Sequence, residues 1–103
     1  MILIGKKIIA DFGNAHPQSR KLLRGWSYTI EQTSYGSLHE LKRTFPRTDY
    51  VHHKYTVFDV GGNKYRLITE IDYPAGVVYM KRIWTHTEYS MKTNVDALRR
   101  KTI

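Results

Sequence analysis

Two arginines on neighbouring predicted strands are the first candidates for chemistry in this chain of 103 residues. Arg66 shares one face of its strand with Ile68 and Glu70, because successive side chains of a strand point to opposite faces. If the following hairpin turns about Pro74, Arg66 lies opposite Arg82, and like charges in that position are destabilising unless a carboxylate or a bound anion lies between them. This register predicts a phosphate-binding face, and loss of Arg66 should leave the melting temperature unchanged or raise it. In the alternative interpretation, each arginine lies on a solvated face and reaches its own acidic neighbour.

The five histidines are the next candidates, and the chain has no cysteine. Their spacing matches no standard zinc pattern, and the adjacent His52 and His53 would point to opposite faces of a strand. We therefore expect no metal ion and no cofactor. His86 is a candidate acid or base because it ends the third predicted strand and precedes Glu88 and Tyr89, and histidine changes its charge near neutral pH. A lone histidine is more often structural, so both interpretations stay open.

The charge of the chain indicates an anionic partner. The formal net charge is +8, from 17 basic and nine acidic residues. Such a surplus favours nucleic acid first, a membrane surface second and an acidic protein third. Lys6 and Lys7 interrupt the apolar N-terminus, and no stretch approaches the roughly 20 apolar residues of a membrane helix. We expect a soluble, cytoplasmic protein with no membrane partner.

The first half of the chain carries helical patterns after a short possible strand at residues 2–4. One apolar stripe runs through Ile8 and Phe12, and His16-Pro17 interrupts it because proline lacks an amide hydrogen. A second helix follows, with Trp26 on its apolar face. Residues 37–40 match a capping box that begins a third helix, which Pro46 ends.

From residue 50 the pattern changes to strands. Residues 55–60, 65–71 and 77–84 are rich in β-branched and aromatic residues, and glycine-containing turns separate them. This predicts an α+β fold in one domain, residues 1–103, with two N-terminal helices packed on one face of a small antiparallel sheet. The other face should be open, and the tail, residues 92–103, is weakly patterned.

Two segments resemble the toxins of the HigB family. Residues 58–67 (FDVGGNKYRL) resemble the central hairpin of these toxins, and residues 85–89 (THTEY) resemble the segment after their last strand. Trp26 and Phe45-Pro46 agree more loosely, so the resemblance covers roughly residues 1–92. Asp59 departs from the pattern, since relatives often carry asparagine there.

The resemblance implies an activity, partners and a site. HigB-type toxins are RelE-like mRNA interferases, they pair with HigA-type helix-turn-helix antitoxins, and many cleave mRNA on the ribosome. Such endoribonucleases need no metal, because the RNA 2′-hydroxyl attacks the neighbouring phosphate. By this resemblance Arg66 binds the phosphate, His86 is the acid or base, and Tyr89 stacks on a base or donates a proton. Second-line candidates that would bind the RNA are His53, Lys54, Lys64 and Arg82.

Two other functions remain possible from the sequence. A non-catalytic RNA- or ribosome-binding module would use the same basic surface without cleaving RNA. Double-stranded-RNA-binding domains also combine helices with three strands, but they place a long helix after the third strand, for which residues 90–103 give weak evidence. The basic surface could also bind an acidic protein, and the antitoxin itself would be such a partner.

Overall fold

A computed structural model describes all 103 residues, Met1–Ile103, and the α+β class predicted from the sequence is confirmed. The strands are β1 (Ile2–Ile4), β2 (Thr48–Val51), β3 (Tyr55–Val60), β4 (Tyr65–Asp72) and β5 (Val77–Thr85). The α-helices are α1 (Lys6–Ala15), α2 (Arg20–Gln32), α3 (Leu38–Thr44), α4 (His86–Tyr89) and α5 (Lys92–Arg100), and a 3-10 turn, Pro17–Ser19, separates α1 from α2. No helix has the length and hydropathy that crossing a membrane requires.

The five strands form one sheet in the order β1-β5-β4-β3-β2. Strands β3, β4 and β5 form the predicted antiparallel meander. The prediction of a wholly antiparallel sheet is wrong at one edge, because β1 lies parallel to β5. Strand β2 was not predicted, and it pairs antiparallel with β3. His52 and His53 form the turn between β2 and β3, with φ values of 54° and 55°. They therefore lie in a turn and not in a strand.

One face of the sheet, here called the helix face, carries the larger hydrophobic core. Trp26 and Ile30 of α2 belong to the same buried cluster as Phe58, Leu67 and Val78 of the sheet. The ring of Trp26 meets that of Phe58 edge to face, with centroids 5.1 Å apart. The apolar stripe that the sequence predicts on the second helix is therefore the stripe that packs.

The opposite face, here called the site face, was predicted to be open, and this prediction is wrong. Leu98 of α5 is buried there against Val57, Ile68 and Trp84. The weakly patterned tail is thus a nine-residue helix that covers part of this face. Its sequence gave little signal because a short helix draws most of its stability from tertiary packing rather than from local preference.

The register between β4 and β5 differs from the predicted one, and the opposition of Arg66 and Arg82 is wrong. Arg66 pairs across the sheet with Trp84, and Arg82 pairs with Ile68. The turn between β4 and β5 extends over four residues, and a bulge beside Ile68 shifts the pairing by one further residue. On its other side, Arg66 lies opposite Asp59 of β3.

The capping box predicted at residues 37–40 is only half formed. The Ser37 hydroxyl accepts a hydrogen bond from the Glu40 amide at 3.2 Å, as expected. The Glu40 carboxylate, however, accepts from the amide of Gly36 at 2.8 Å rather than from that of Ser37. Helix α3 therefore begins where the sequence indicates, but the carboxylate of Glu40 binds the amide of the residue that precedes the capping box.

Candidate active site

Arg66 projects from β4 on the site face and is held by the turn between β3 and β4. Its Nη1 donates to Asp59 Oδ1 at 3.2 Å, and its Nη2 donates to the side-chain oxygen of Asn63. Only 13% of the Arg66 side chain and 19% of the Asp59 side chain are exposed. The alternative interpretation is therefore confirmed only for the acidic neighbour of Arg66: this side chain is mostly shielded from solvent, and Arg82 forms no ion pair.

Tyr89, the last residue of α4, packs against the guanidinium. The Arg66 Cζ atom lies 5.3 Å from the centre of the Tyr89 ring, and the Trp84 ring lies on another side of Tyr89 with centroids 6.4 Å apart. Burial raises the pKa of the Tyr89 phenol, the charge of Arg66 lowers it by less, and Asp49 adds a small increase. The phenol is therefore protonated at neutral pH and can donate a hydrogen bond or a proton.

Helix α4 is positioned by a complete capping box that the sequence analysis did not recognise. The Thr85 hydroxyl accepts from the Glu88 amide at 3.2 Å, and the Glu88 carboxylate accepts from the Thr85 amide at 2.9 Å. The threonine and glutamate of the THTEY segment thus have a structural role, because they orient the helical turn that carries His86 and Tyr89. The spacing of threonine and glutamate was a signal that could have predicted this.

His86 is the first residue of α4 rather than the end of β5, which corrects its predicted position. Its amide donates to the carbonyl oxygen of Lys64 at 2.9 Å, so the backbone of α4 is tied to the turn between β3 and β4. The His86 side chain is exposed, as is that of Lys64. One end of the site face therefore gathers Arg66, Tyr89, Lys64 and the backbone of His86.

The other predicted RNA-binding residues lie elsewhere. Lys54 directly precedes β3 at the opposite end of the strand, about 17 Å from Asp59 at 3.3 Å per residue. Its Nζ atom lies 3.3 Å from Glu70 and 3.4 Å from the carbonyl oxygen of Lys101. His53 is exposed in the adjacent turn, its ring 6.4 Å from that of Tyr50. These two residues do not converge with Arg66.

Arg82 lies on the site face, two residue pairs along the sheet from Arg66. Its side chain is exposed, and its Nη1 donates to the carbonyl oxygen of Lys81 at 2.7 Å. No group of three or more His, Asp or Glu side chains in the structure could hold a metal ion. The chemistry that this end of the face offers therefore consists of a fixed positive charge, a protonated phenol and an exposed imidazole.

The sequence is similar to those of known proteins over most of its length. A family model described as HigB_toxin, the RelE-like toxic component of a toxin-antitoxin system, matches residues 19–92. The chain is 31% identical over 97 residues to the mRNA interferase toxin HigB of Escherichia coli strain K12, which covers 92% of this chain and 93% of that protein. It is equally similar to the mRNA interferase HigB of Shigella flexneri, and 28% identical over 95 residues to that of Escherichia coli O6:H1. The matched range includes Arg66, His86 and Tyr89.

Proposed function

The chain belongs to the HigB family of RelE-like toxins, and on this premise we propose that it cleaves mRNA at the end of the site face where Arg66, His86 and Tyr89 are found. Its relatives are named mRNA interferases, so the chain is a toxin with endoribonuclease activity. The observation that carries the proposed location is the hydrogen-bonded and stacked guanidinium of Arg66 beside the protonated Tyr89 phenol.

The proposed reaction uses the RNA itself as the nucleophile. A base removes the proton of the 2′-hydroxyl, the 2′-oxygen bonds to the neighbouring phosphorus, and the bond from phosphorus to the 5′-oxygen breaks. A donor then protonates that 5′-oxygen, which leaves a cyclic phosphate and a free 5′-hydroxyl. Such a reaction needs an acid, a base and positive charge on the phosphorane, and it needs no metal ion.

Arg66 supplies the positive charge in this proposal. The guanidinium has five N–H donors, and its bonds to Asp59 and Asn63 leave three of them for phosphate oxygens. Its planar geometry matches two oxygens of one phosphate. Because Tyr89 covers one side of the guanidinium, the phosphate would approach at the remaining edge.

His86 and Tyr89 supply the proton transfers. The Tyr89 phenol is protonated at neutral pH and is a poor base in that form, so we assign it the role of the acid that donates to the leaving 5′-oxygen. This leaves His86, exposed on the first turn of α4, as the base that accepts the 2′-hydroxyl proton. Lys64 and Arg82, both exposed near this end of the site face, would attract neighbouring phosphates.

The partners follow from the family. As the toxic component of a toxin–antitoxin system, the chain has an antitoxin partner and an mRNA substrate. We propose that the antitoxin is a HigA-type helix-turn-helix protein and that cleavage takes place in the cytoplasm on the translating ribosome. The surplus of basic residues supports association with an RNA-rich particle.

An assay of mRNA cleavage on translating ribosomes tests the proposal. It compares the wild type with R66A, H86A and Y89F, and primer extension maps the new mRNA ends. Loss of a proton-transfer group should slow cleavage by about 10²–10⁴-fold, and binding to ribosomes should change little. The control replaces Arg99, Arg100 and Lys101 by alanine; it should weaken binding without slowing cleavage at saturating protein. Binding of the wild-type protein that leaves the mRNA intact would instead indicate a non-catalytic RNA- or ribosome-binding module.

A further inference from the structure

The turn between β3 and β4 binds the Arg66 guanidinium through the same atoms that stabilise the turn. Asp59 Oδ1 accepts from the Asn63 amide at 2.9 Å and from Arg66 Nη1 at 3.2 Å, and the Asn63 side-chain oxygen accepts from Arg66 Nη2. The three residues therefore form a closed set of hydrogen bonds, which includes the backbone amide of Asn63. We infer that Asp59 and Asn63 are positioning residues, which hold Arg66 in the orientation in which it binds the scissile phosphate; this rests on the proposed function.

The backbone of the turn is itself firmly placed. Gly61, Gly62 and Asn63 all have positive φ values, of 75°, 60° and 80°, and asparagine is among the few residues other than glycine that adopt this conformation readily. A Cβ atom on Gly61 would come within 2.9 Å of the Leu22 side chain, so the turn lies directly against α2. On the other side, the Lys64 carbonyl accepts from the amide of His86. The turn is thus held between α2 and α4.

The next hairpin shows that this arrangement exceeds what a turn requires. There, Asp72 Oδ1 accepts the amide of Ala75 at 3.0 Å and thereby stabilises the turn between β4 and β5. No arginine contacts Asp72 among the ion pairs of the protein. Asp59 performs the equivalent backbone role and, in addition, fixes the guanidinium that faces Tyr89.

The carboxylate of Asp59 also has an electrostatic consequence. Its negative charge opposes the approach of a phosphate to Arg66, so Asp59 lowers ground-state affinity for RNA while it orients the guanidinium. Asparagine in place of Asp59 would keep an acceptor oxygen but remove this charge. Orientation and charge can therefore be separated by comparing D59N with D59A.

The experiment measures single-turnover cleavage at saturating toxin, RNA affinity and melting temperature for D59A, D59N and N63G, with D72A as the matched control. D59A and N63G should slow cleavage by about 10²-fold, because a misplaced catalytic group commonly has an effect of that size, without weakening RNA binding. D59N should cleave within a few-fold of the wild type and bind RNA about 2- to 5-fold more tightly, as expected for one partly exposed charge. D72A should cleave and bind like the wild type.

R66A, assayed in parallel, separates the two levels of the hypothesis. If R66A cleaves as fast as the wild type, the proposed role of Arg66 fails, and the inference fails with it. If R66A is inactive but folded D59A and N63G cleave at the wild-type rate, the proposed function stands and the positioning role is overturned. A purely structural role would lower the melting temperature of D59A and leave its cleavage rate per folded molecule unchanged.

Discussion

Arg66 contacts three groups of the protein at once: the carboxylate of Asp59, the amide side chain of Asn63 and the ring of Tyr89. A mostly buried guanidinium without partners would be strongly destabilising, so these contacts permit its burial. They also fix its rotamer before any ligand arrives, which reduces the entropy lost when a phosphate binds. In the proposed reaction, the positive charge is therefore preorganised for the transition state rather than assembled during the reaction.

The first prediction concerns the stability of R66A. Because the substitution removes two charge-assisted hydrogen bonds and leaves the mostly buried carboxylate of Asp59 without its ion-pair partner, the free energy of unfolding should fall by about 1–3 kcal/mol. The pairing of Arg66 with Asp59 thus reverses the expectation, drawn from the sequence alone, that stability would be unchanged or raised. Urea unfolding followed by circular dichroism measures the effect.

R82A is the control for this measurement. The side chain of Arg82 is exposed and contacts only a neighbouring carbonyl, so its loss should change the free energy of unfolding by less than about 0.5 kcal/mol. Equal effects of R66A and R82A would contradict the structural account of Arg66.

The second prediction concerns pH and Tyr89. Because burial raises the pKa of Tyr89, the folded phenol stays protonated at a pH where an unfolded tyrosine, with a pKa of about 10, already ionises. This stabilisation is complete below about pH 10 and is lost as the pH rises through the folded-state value. Y89F should therefore lose less stability than the wild type between about pH 9 and pH 11.

Two other tyrosines are compared with Tyr89 in the same measurement. Y73F should likewise lose less stability than the wild type as the pH rises, since burial also raises the pKa of Tyr73. Y28F is the matched control, in which the hydroxyl is removed from a tyrosine that is 66% exposed on α2. Urea unfolding across this pH range decides the matter, and an alkaline loss in Y89F as large as that of the wild type would contradict the account of Tyr89.

Among the α-helices, α4 is the shortest and carries two of the proposed catalytic residues. A helix of four residues has almost no stability of its own, so its position depends on the Thr85–Glu88 capping box and on neighbouring contacts. One such contact is the bond from Asn94 Nδ2 to the carbonyl oxygen of Glu88 at 2.7 Å. The geometry of His86 and Tyr89 thus depends on a hydroxyl and a carboxylate that bond to backbone amides at the start of α4.

The third prediction tests this dependence with T85A. Loss of an N-cap hydroxyl lowers the free energy of unfolding by about 1 kcal/mol, and the displaced α4 should slow cleavage at least tenfold. S37A is the matched control: it removes the cap of α3, away from the site, and should reduce stability similarly while leaving cleavage per folded molecule unchanged. If both variants slow cleavage equally, the capping box has no specific role in the site.

At the scale of the whole molecule, two hydrophobic clusters lie on opposite faces of the sheet. The larger one, on the helix face, contains Trp26 and Phe58, and the smaller one, on the site face, contains Trp84 and Leu98. The strands between them are therefore covered on both sides, and this makes the sheet a rigid support for the site. Arg66 lies opposite Trp84 in the register, so the proposed chemistry is located at the margin of the smaller cluster.

The fourth prediction tests the larger cluster. W26A should lower the free energy of unfolding by about 3–5 kcal/mol, since the Trp26 side chain is 4% exposed and fills the space against Phe58. Y28A, two residues away on the same helix and exposed to solvent, should change it by less than about 0.5 kcal/mol. Urea unfolding measures the free energy of unfolding of both variants, and a similar loss in the two would contradict this packing.

The sequence alone determined the elements with strong local patterns. The apolar stripe around Trp26 predicts α2, and the glycines at 61 and 62 predict the turn that precedes Arg66. The β-branched and aromatic residues of 55–60, 65–71 and 77–84 predict the meander. The FDVGGNKYRL and THTEY segments also indicated the toxin family. These features are local, because hydrophobic periodicity and turn preference act over a few residues.

The tertiary structure alone decided how these elements meet. The register of β4 against β5 depends on one extra turn residue and one bulge, and each moves a side chain past its expected neighbour, which is why Arg66 meets Trp84 and Asp59 rather than Arg82. The parallel direction of β1 and the helix that contains Leu98 were also outside the reach of local patterns. Short segments carry too little intrinsic preference to fix their own conformation, so long-range packing determines where they lie.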